Sequence, residues 1–247
     1  MSAKLPLAVL DSTPRSEHSA VPPVLLNRLS RGEFEHRQSP LKSVFYYVER
    51  RIGHFLFSRP PPTTPHRLLN LGCGSLRYAE WVNADDYAFK RALRQRAFAP
   101  DWRLDVTRPW RCKTDHWDGI FSQHVFEHLH YSDALFAMRE CFRTLKPGAW
   151  LRVSVPDIQR TVDYYEGRFG ARLPVEFPHR ALAMSFLTQM HGHLSAWDGS
   201  LLCAVLLEIG YLDVREVLHG IGTDVRLVMD QDEKRRESVY VEARKPS

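Results

Sequence analysis

The segment Arg67–Asp85, RLLNLGCGSLRYAEWVNAD, constrains the fold of this chain more than any other stretch. The apolar run Leu68, Leu69, Leu71 breaks into Gly72-Cys73-Gly74-Ser75, and a second run, Trp81, Val82 and Ala84, ends in Asp85-Asp86. A buried strand that breaks into glycines lets the main chain approach a ligand closely, because glycine has no Cβ. A carboxylate at the tip of the following strand can hold a ribose diol. Together they describe a nucleoside-type cofactor lying across the carboxyl ends of parallel strands. A dinucleotide is not implied: the third glycine of G-x-G-x-x-G would fall at position 77, where Arg77 stands.

The rest of the chain alternates strand and helix patterns, as a doubly wound α/β sheet requires. Strands are expected at 68–72, 81–85, 102–106, 117–122 and 149–155. Residues 131–146 form an amphipathic helix with Leu135, Met138, Phe142 and Leu145 on one face, stopped by Pro147-Gly148. Asp198 can cap a helix that ends at Gly210. The runs 224–229 and 238–243 read as antiparallel strands around the charged loop DQDEKRRE. Upstream, residues 1–63 form an extension. Its first twenty residues are too rich in Pro, Ser and charge to order, and 41–57 carries helical apolar spacing. That helix covers the core or the site, with a membrane surface as the second reading.

Composition narrows the functional classes. The four cysteines, Cys73, Cys112, Cys141 and Cys203, show no C-x-x-C pairing, which favours free thiols in a reducing cytoplasm. The apolar stretch 5–10 is too short for a signal or a bilayer span. A net charge of +5 is mild. The arginines Arg91, Arg94, Arg96, Arg103, Arg108 and Arg111 crowd one region without forming the block typical of nucleic-acid tails. No stable nucleic-acid partner is expected, and a basic rim attracting an anionic small molecule is the functional alternative to a solvated face.

The chain resembles the class I S-adenosylmethionine-dependent methyltransferases, and most closely small bacterial members linked to polysaccharide and other secondary pathways. The matching blocks, in family order, are LLNLGCGS (68–75), EWVNAD (80–85), RLDVTRPW (103–110), WDGIFSQHVFEHL (117–129), ECFRTLKPGAWLRVSVPD (140–157) and HLSAWDGSLLCAVLLEIGY (193–211). The resemblance implies a seven-stranded, mostly parallel Rossmann-like sheet over 64–247, with an acceptor-side insertion at about 158–196. One departure stands out. Only residues 73–84 separate Gly72 from Asp85, room for about one helical turn where the family places a full helix.

The resemblance also assigns roles. Gly72, Cys73 and Gly74 approach the methionyl part of S-adenosylmethionine, whose spent product is S-adenosylhomocysteine. Asn70 stands where many relatives carry an acidic residue. Asp85, or Asp86 if the register slips, binds the ribose. Asp105 accepts from the adenine amino group while Val106 packs on the ring, unless Asp105 is only a loop or cap aspartate. Ser122, Gln123 and His124 line the cofactor from the other side. Methylating a hydroxyl needs a base, and histidine suits neutral pH. Among His124, His128, His130, His191 and His193, His193 is the candidate base and His128 a positioning residue. Asp157 is a second candidate base, and Glu127 orients a helix start or a histidine. The acceptor expected is a small hydroxyl compound, anionic or sugar-containing, with a nitrogen acceptor or an RNA nucleotide as the open alternatives. Apolar walls come from Tyr164, Tyr165, Phe169, Phe177, Phe186 and Met190, unless these only pack the insertion, and anion contacts from Arg160, Arg168, Arg172 and Arg180.

Two rival readings stand beside a metal-assisted methyltransferase that would use some of these histidines. His124-Val125-Phe126-Glu127-His128 matches H-x-x-E-H, a zinc-peptidase motif that needs both histidines one turn apart on a helix. A non-catalytic relative would fit Asn70 and the short 73–84 segment. No metal ligand set is assigned from the sequence.

Overall fold

Seven strands form one sheet: β1 Leu68–Leu71, β2 Val82–Asp85, β3 Trp102–Arg103, β4 Trp117–Gln123, β5 Leu145–Pro156, β6 Leu212–Val217 and β7 Ser238–Arg244. These come from a computed structural model that describes residues 59–86, 100–168, 173, 177, 179–189 and 192–247. The helix expected over 41–57, the extension before it, and Arg91, Arg94, Arg96, Phe169, Arg172, Met190 and His191 lie outside the described residues. The strand order is β3-β2-β1-β4-β5-β7-β6. Strands β1 to β5 run parallel, and β7 lies antiparallel between β5 and β6. This is the doubly wound, mostly parallel sheet that the sequence implied. Strand order reverses between β1 and β4, so the carboxyl ends of those two strands flank the crevice where such sheets bind ligands.

The central strands are apolar because both their faces are covered. Leu69, Leu71, Ile120, Leu151 and Val153 are fully buried. Among the described residues four helices accompany the sheet: α1 Tyr131–Thr144, α2 Ile158–Glu166, α3 Ala181–Gln189 and α4 Gly199–Ile209. Helix α4 starts and stops as read from sequence: Asp198 Oδ1 accepts from Leu201 N at 2.7 Å, and Gly210 closes it at φ 113°. All four cysteines are buried free thiols.

Three sequence expectations change. Residues 224–229 are not a strand. Asp224 accepts from Arg226 N and starts the short 3-10 turn Val225–Leu227, while the last antiparallel edge is β6, directly after α4. A local side-chain bond has outcompeted the β-branched content of that run. Strand β3 stops at Arg103 because Asp105 folds the next residues into a turn through Thr107 N, 3.0 Å away. Helix α1 ends at Thr144, and Pro147-Gly148 lies inside the first part of β5. Proline disfavours helical geometry at the residue before it, so the helix gives way earlier than its breaker.

A buried arginine braces the segment that joins β6 to β7. Arg152 on β5 is fully buried and donates through Nε to Asp230 Oδ1 at 2.8 Å and through Nη1 to Glu242 Oε1 at 2.9 Å. Its Nη2 also pairs with Asp230, and Nη1 reaches the Ile221 carbonyl at 2.9 Å.

Candidate active site

The glycine turn takes its shape from its own backbone. Gly72 and Gly74 adopt φ +71° and +53°, conformations that L side chains rarely hold. A Cβ on Gly72 would overlap a Val125 methyl, with Val125 Cβ and Cγ1 each 3.3 Å away. A Cβ on Gly74 would meet nothing within 4 Å, so that side of the turn is open. Gly74 N donates to Asp85 Oδ2 at 2.6 Å, which fixes the β2 carboxylate beside the turn. A carboxylate can accept about four hydrogen bonds, so this bond alone does not saturate it.

No helix forms between Gly72 and β2. An amide network holds the loop instead. Asn70 Nδ2 donates to the Leu76 carbonyl at 3.0 Å and to Asn83 Oδ1 at 3.1 Å. Asn83 Oδ1 also accepts from Tyr78 N at 2.9 Å, and Asn83 Nδ2 donates to Asp101 Oδ2 at 2.7 Å. The structure thus gives the Asn70 amide group a bracing role under the glycine turn. Cys73 is buried beside it, and burial pushes its thiol up to about 12, with Asp85 adding to the shift.

Past β3, Asp105 is buried and its Oδ1 accepts from Thr107 N and Thr107 Oγ1, the latter at 2.6 Å. Its Oδ2 lies 3.3 Å from Arg108 Nε. Asp105 therefore shapes a turn. Val106 is buried in the core cluster. At the end of β4, Ser122 Oγ and both polar atoms of the Gln123 amide are buried without a hydrogen-bond partner among the described residues.

His124 turns the chain out of β4 with φ +55°, a strained value for a residue with a side chain. Its Nε2 meets Ser238 Oγ on β7 at 2.7 Å, and its Nδ1 lies 3.3 Å from Glu127 Oε1. The 3-10 turn Phe126–His128 follows. His124 and His128 therefore do not share a helix face, and the zinc-peptidase arrangement does not form.

Glu127 is the residue whose weight the sequence understated. Burial pushes its carboxyl up to about 8. Its carbonyl accepts from Leu194 N at 2.7 Å and Ser195 N at 3.1 Å, so the main chain ties this turn to the segment carrying His193. Ser195 Oγ donates to the Phe126 carbonyl and accepts from Trp197 Nε1. The His128 and His193 rings come to 4.9 Å between centroids at 71°. The two histidines singled out from sequence thus meet, across a long sequence separation, beside the carboxyl end of β4. His193 Nδ1 donates to the Leu187 carbonyl at 2.6 Å, because a carbonyl can only accept. In the neutral ring the lone pair then sits on Nε2.

Asp157 takes another part. Its Oδ1 caps α2 by accepting from Gln159 N at 3.0 Å, and its Oδ2 lies 3.4 Å from Arg160 Nε. Desolvation raises its carboxyl to about 6. In the insertion, Tyr164, Phe177 and Phe186 pack edge to face in series. Arg168 pairs with Glu166.

A doubly wound sheet with an open glycine turn at its switch point, and an anchored carboxylate at the end of β2, defines a nucleoside-cofactor-binding domain. The open side of Gly74 and the unpartnered Ser122 and Gln123 groups fit such a ligand among the described residues. The chain belongs to the methyltransferase-domain family, whose model matches residues 41–216. It is a methyltransferase. No curated protein matches it. Among solved structures, it is similar to an S-adenosylmethionine-dependent methyltransferase from Archaeoglobus fulgidus at 14% identity, over 81% of this chain and 94% of that one, with a TM-score of 0.46. A possible histamine N-methyltransferase from Thermotoga maritima matches at 15% identity over 81% and 89%, with a TM-score of 0.48. A possible exported protein from Bordetella parapertussis matches at 19% identity over 91% and 79%, with a TM-score of 0.44. Among the described residues no helix is long and apolar enough to cross a membrane.

Proposed function

We propose that this methyltransferase acts on a hydroxyl group of a small, anionic or sugar-containing acceptor, with the acceptor's proton handled at Glu127, His128 and His193. The observation that carries this reading is the meeting of those three side chains past the carboxyl end of β4, each offering an atom within 4.8 Å of the others. When bound, S-adenosylmethionine supplies a methyl group on a sulfonium, and its thioether leaving group needs no proton.

The chain's own residues do the rest. Gly72 and Gly74 present main-chain groups to the methionyl portion, with Cys73 between them, and Asp85 takes the ribose hydroxyls. Asp105 and Val106 border the adenine, and Ser122 and Gln123 supply polar contacts from β4. His124 bears on the site through Glu127. His193, its Nδ1 proton held by the Leu187 carbonyl, keeps a basic Nε2 toward the acceptor side. His128 positions the acceptor against it. Bringing oxygen and methyl to about 3–3.5 Å in line accounts for much of the rate. Helices α2 and α3 form the part of the chain suited to exclude water and select the acceptor. Four buried free thiols support a cytoplasmic setting.

The test is calorimetric titration of the full chain with S-adenosylhomocysteine, beside Asp85→Asn and Asp85→Ala. Loss of hydrogen bonds to a charged acceptor is worth roughly 1.5–3 kcal/mol, so affinity should fall by about 10- to 100-fold. Unchanged affinity in both variants refutes the ribose assignment. His193→Gln should keep that affinity and lose methylation of the hydroxyl acceptor. A variant that still methylates at the native rate removes His193 from the chemistry.

A further inference from the structure

We propose that Glu127, His128 and His193 form a binding site for one divalent transition-metal ion, with zinc as the reference ion. Glu127 is 1% exposed, and neither of its carboxylate oxygens has a hydrogen-bond donor among the described residues. Such a group is expensive to bury unless a cation or a set of donors compensates it. Two imidazoles lie nearest to it, His124 Nδ1 at 3.3 Å and His128 Nε2 at 3.8 Å from Oε1, with the charges of Lys234 and Glu237 also acting on it. Glu127, His128 and His193 each bring one ligand-capable atom within 4.8 Å of the other two.

Two further observations point to a ligand set and not to a chance cluster. The first is the backbone clamp, with Leu194 N and Ser195 N both donating to the Glu127 carbonyl. It holds the two segments that carry the ligands in one register. The second is the outer contact of His193, whose Nδ1 donates to the Leu187 carbonyl at 2.6 Å. Metal-ligating histidines are typically oriented in this way through their second nitrogen, which directs the lone pair of the other inward. His124, bonded to Ser238 on its far side, steers Glu127 from behind.

Ligands about 2.0–2.1 Å from a tetrahedral ion stand roughly 3.3 Å apart, so the cluster must tighten on binding. The His128 side chain is 39% exposed, so its ring is the ligand least held by the core. Two imidazoles and a carboxylate suit zinc, iron or manganese better than magnesium or calcium, and three protein ligands leave a coordination position open. On the hydroxyl-methylation reading above, on which this last step rests, the open position takes the acceptor oxygen. The O–H bond then breaks with its electron pair kept on oxygen, and the proton passes to water. A cation in such a site lowers the pKa of a bound hydroxyl-type ligand by several units, to about 7 for water on zinc. His193 would then act as a ligand, and the cation would make the acceptor nucleophilic.

The experiment uses the full chain, stripped with a chelator and titrated with zinc alone against a chromogenic competitor. The variants are Glu127→Gln, His128→Gln, His193→Gln and the distant control His66→Gln, each also titrated with S-adenosylhomocysteine. One zinc per chain should bind to the native protein and to the control. Each ligand variant should bind zinc more than ~100-fold more weakly while retaining S-adenosylhomocysteine binding, since even outer contacts are worth 10- to 100-fold. His128→Gln keeps the test valid if the buried Glu127→Gln fails to fold. Absence of one-to-one zinc binding in the native chain overturns the proposal, as does binding that the ligand variants leave unchanged. Absence of S-adenosylhomocysteine binding to the native chain overturns the cofactor-site reading instead, and the zinc result stands by itself.

Discussion

Replacing Gly72 by alanine isolates the contact that joins the glycine turn to the segment after β4. Two penalties add at this position. A non-glycine residue in the left-handed region costs roughly 1–2 kcal/mol. The new Cβ also overlaps a Val125 methyl and crowds Val125 Cβ and Cγ1 at 3.3 Å, an overpacking of the kind that costs about 1–3 kcal/mol. The expected loss is therefore about 2–5 kcal/mol. Gly74→Ala carries only the first penalty, because nothing lies within 4 Å of its Cβ. Urea unfolding followed by tryptophan fluorescence measures both, and S-adenosylhomocysteine calorimetry shows how much of the strain reaches the cofactor site. Val125→Ala in the Gly72→Ala background should restore the overpacking share and leave the backbone share, giving a favourable coupling of about 1–3 kcal/mol in the double-mutant cycle. Equal losses for Gly72→Ala and Gly74→Ala, with no coupling to Val125, would show that the two segments do not bear on each other.

Arg152→Met leaves Asp230 and Glu242 buried without their shared guanidinium and should cost about 3–5 kcal/mol by urea unfolding, whereas a loss under 1 kcal/mol would mean that the ion cluster is not what braces the β6–β7 segment. Asn70→Asp, which restores the acidic residue many relatives carry, removes the donor to Leu76 O and Asn83 Oδ1 and should destabilise by about 1–3 kcal/mol. A more stable Asn70→Asp variant would refute the bracing role. For Asp157 the folded carboxyl is raised to about 6 against about 3.9 unfolded, so the native state binds the extra proton between those values. Its contribution is fully present below about pH 4 and is lost as pH rises through about 6, by at most about 2–3 kcal/mol. Asp157→Asn should therefore gain on the native chain between pH 4.5 and 7.5, and a pH-independent difference between the two would sink the argument.

What could be read from the sequence was what local chemistry decides. The glycine break after Leu71 and the carboxylate at Asp85 announce themselves within one short stretch, and the structure joins them directly through Gly74 N and Asp85 Oδ2. Asp198 and Gly210 bound a helix by capping rules that involve only neighbouring residues. Where the reading slipped, a competitor decided the outcome. The run 224–229 looked extended by composition, yet one Asp224 side-chain bond to Arg226 N turned it. The bracing bonds of Asn70 were not legible, because its partner Asn83 and the more distant Asp101 cannot be paired with it from spacing. Glu127 was undervalued for the same reason. Nothing local shows that its carbonyl will accept from Leu194 and Ser195, or that Ser238 will hold His124.

These distant contacts bear on how the site is held without the helix that usually follows the first strand. The resemblance implies a full helix at that position. Here the segment 73–81 is a braced loop, and the Cβ-free face of Gly72 lies against Val125. Val125 stands between His124 and the Phe126–His128 turn, whose carbonyls at Phe126 and Glu127 are bonded to the 194–195 segment. The glycine turn, His128 and His193 are consequently parts of one packed unit. A cation drawn in by Glu127 and His193 would tighten the same turn that presses on Gly72, so metal and cofactor binding should be coupled. If they are, S-adenosylhomocysteine must bind more tightly to the zinc-loaded chain than to the stripped one, and zinc must be favoured by S-adenosylhomocysteine by the same factor. Independent binding of the two would mean that Val125 transmits no strain, and that the turn after β4 serves each site separately.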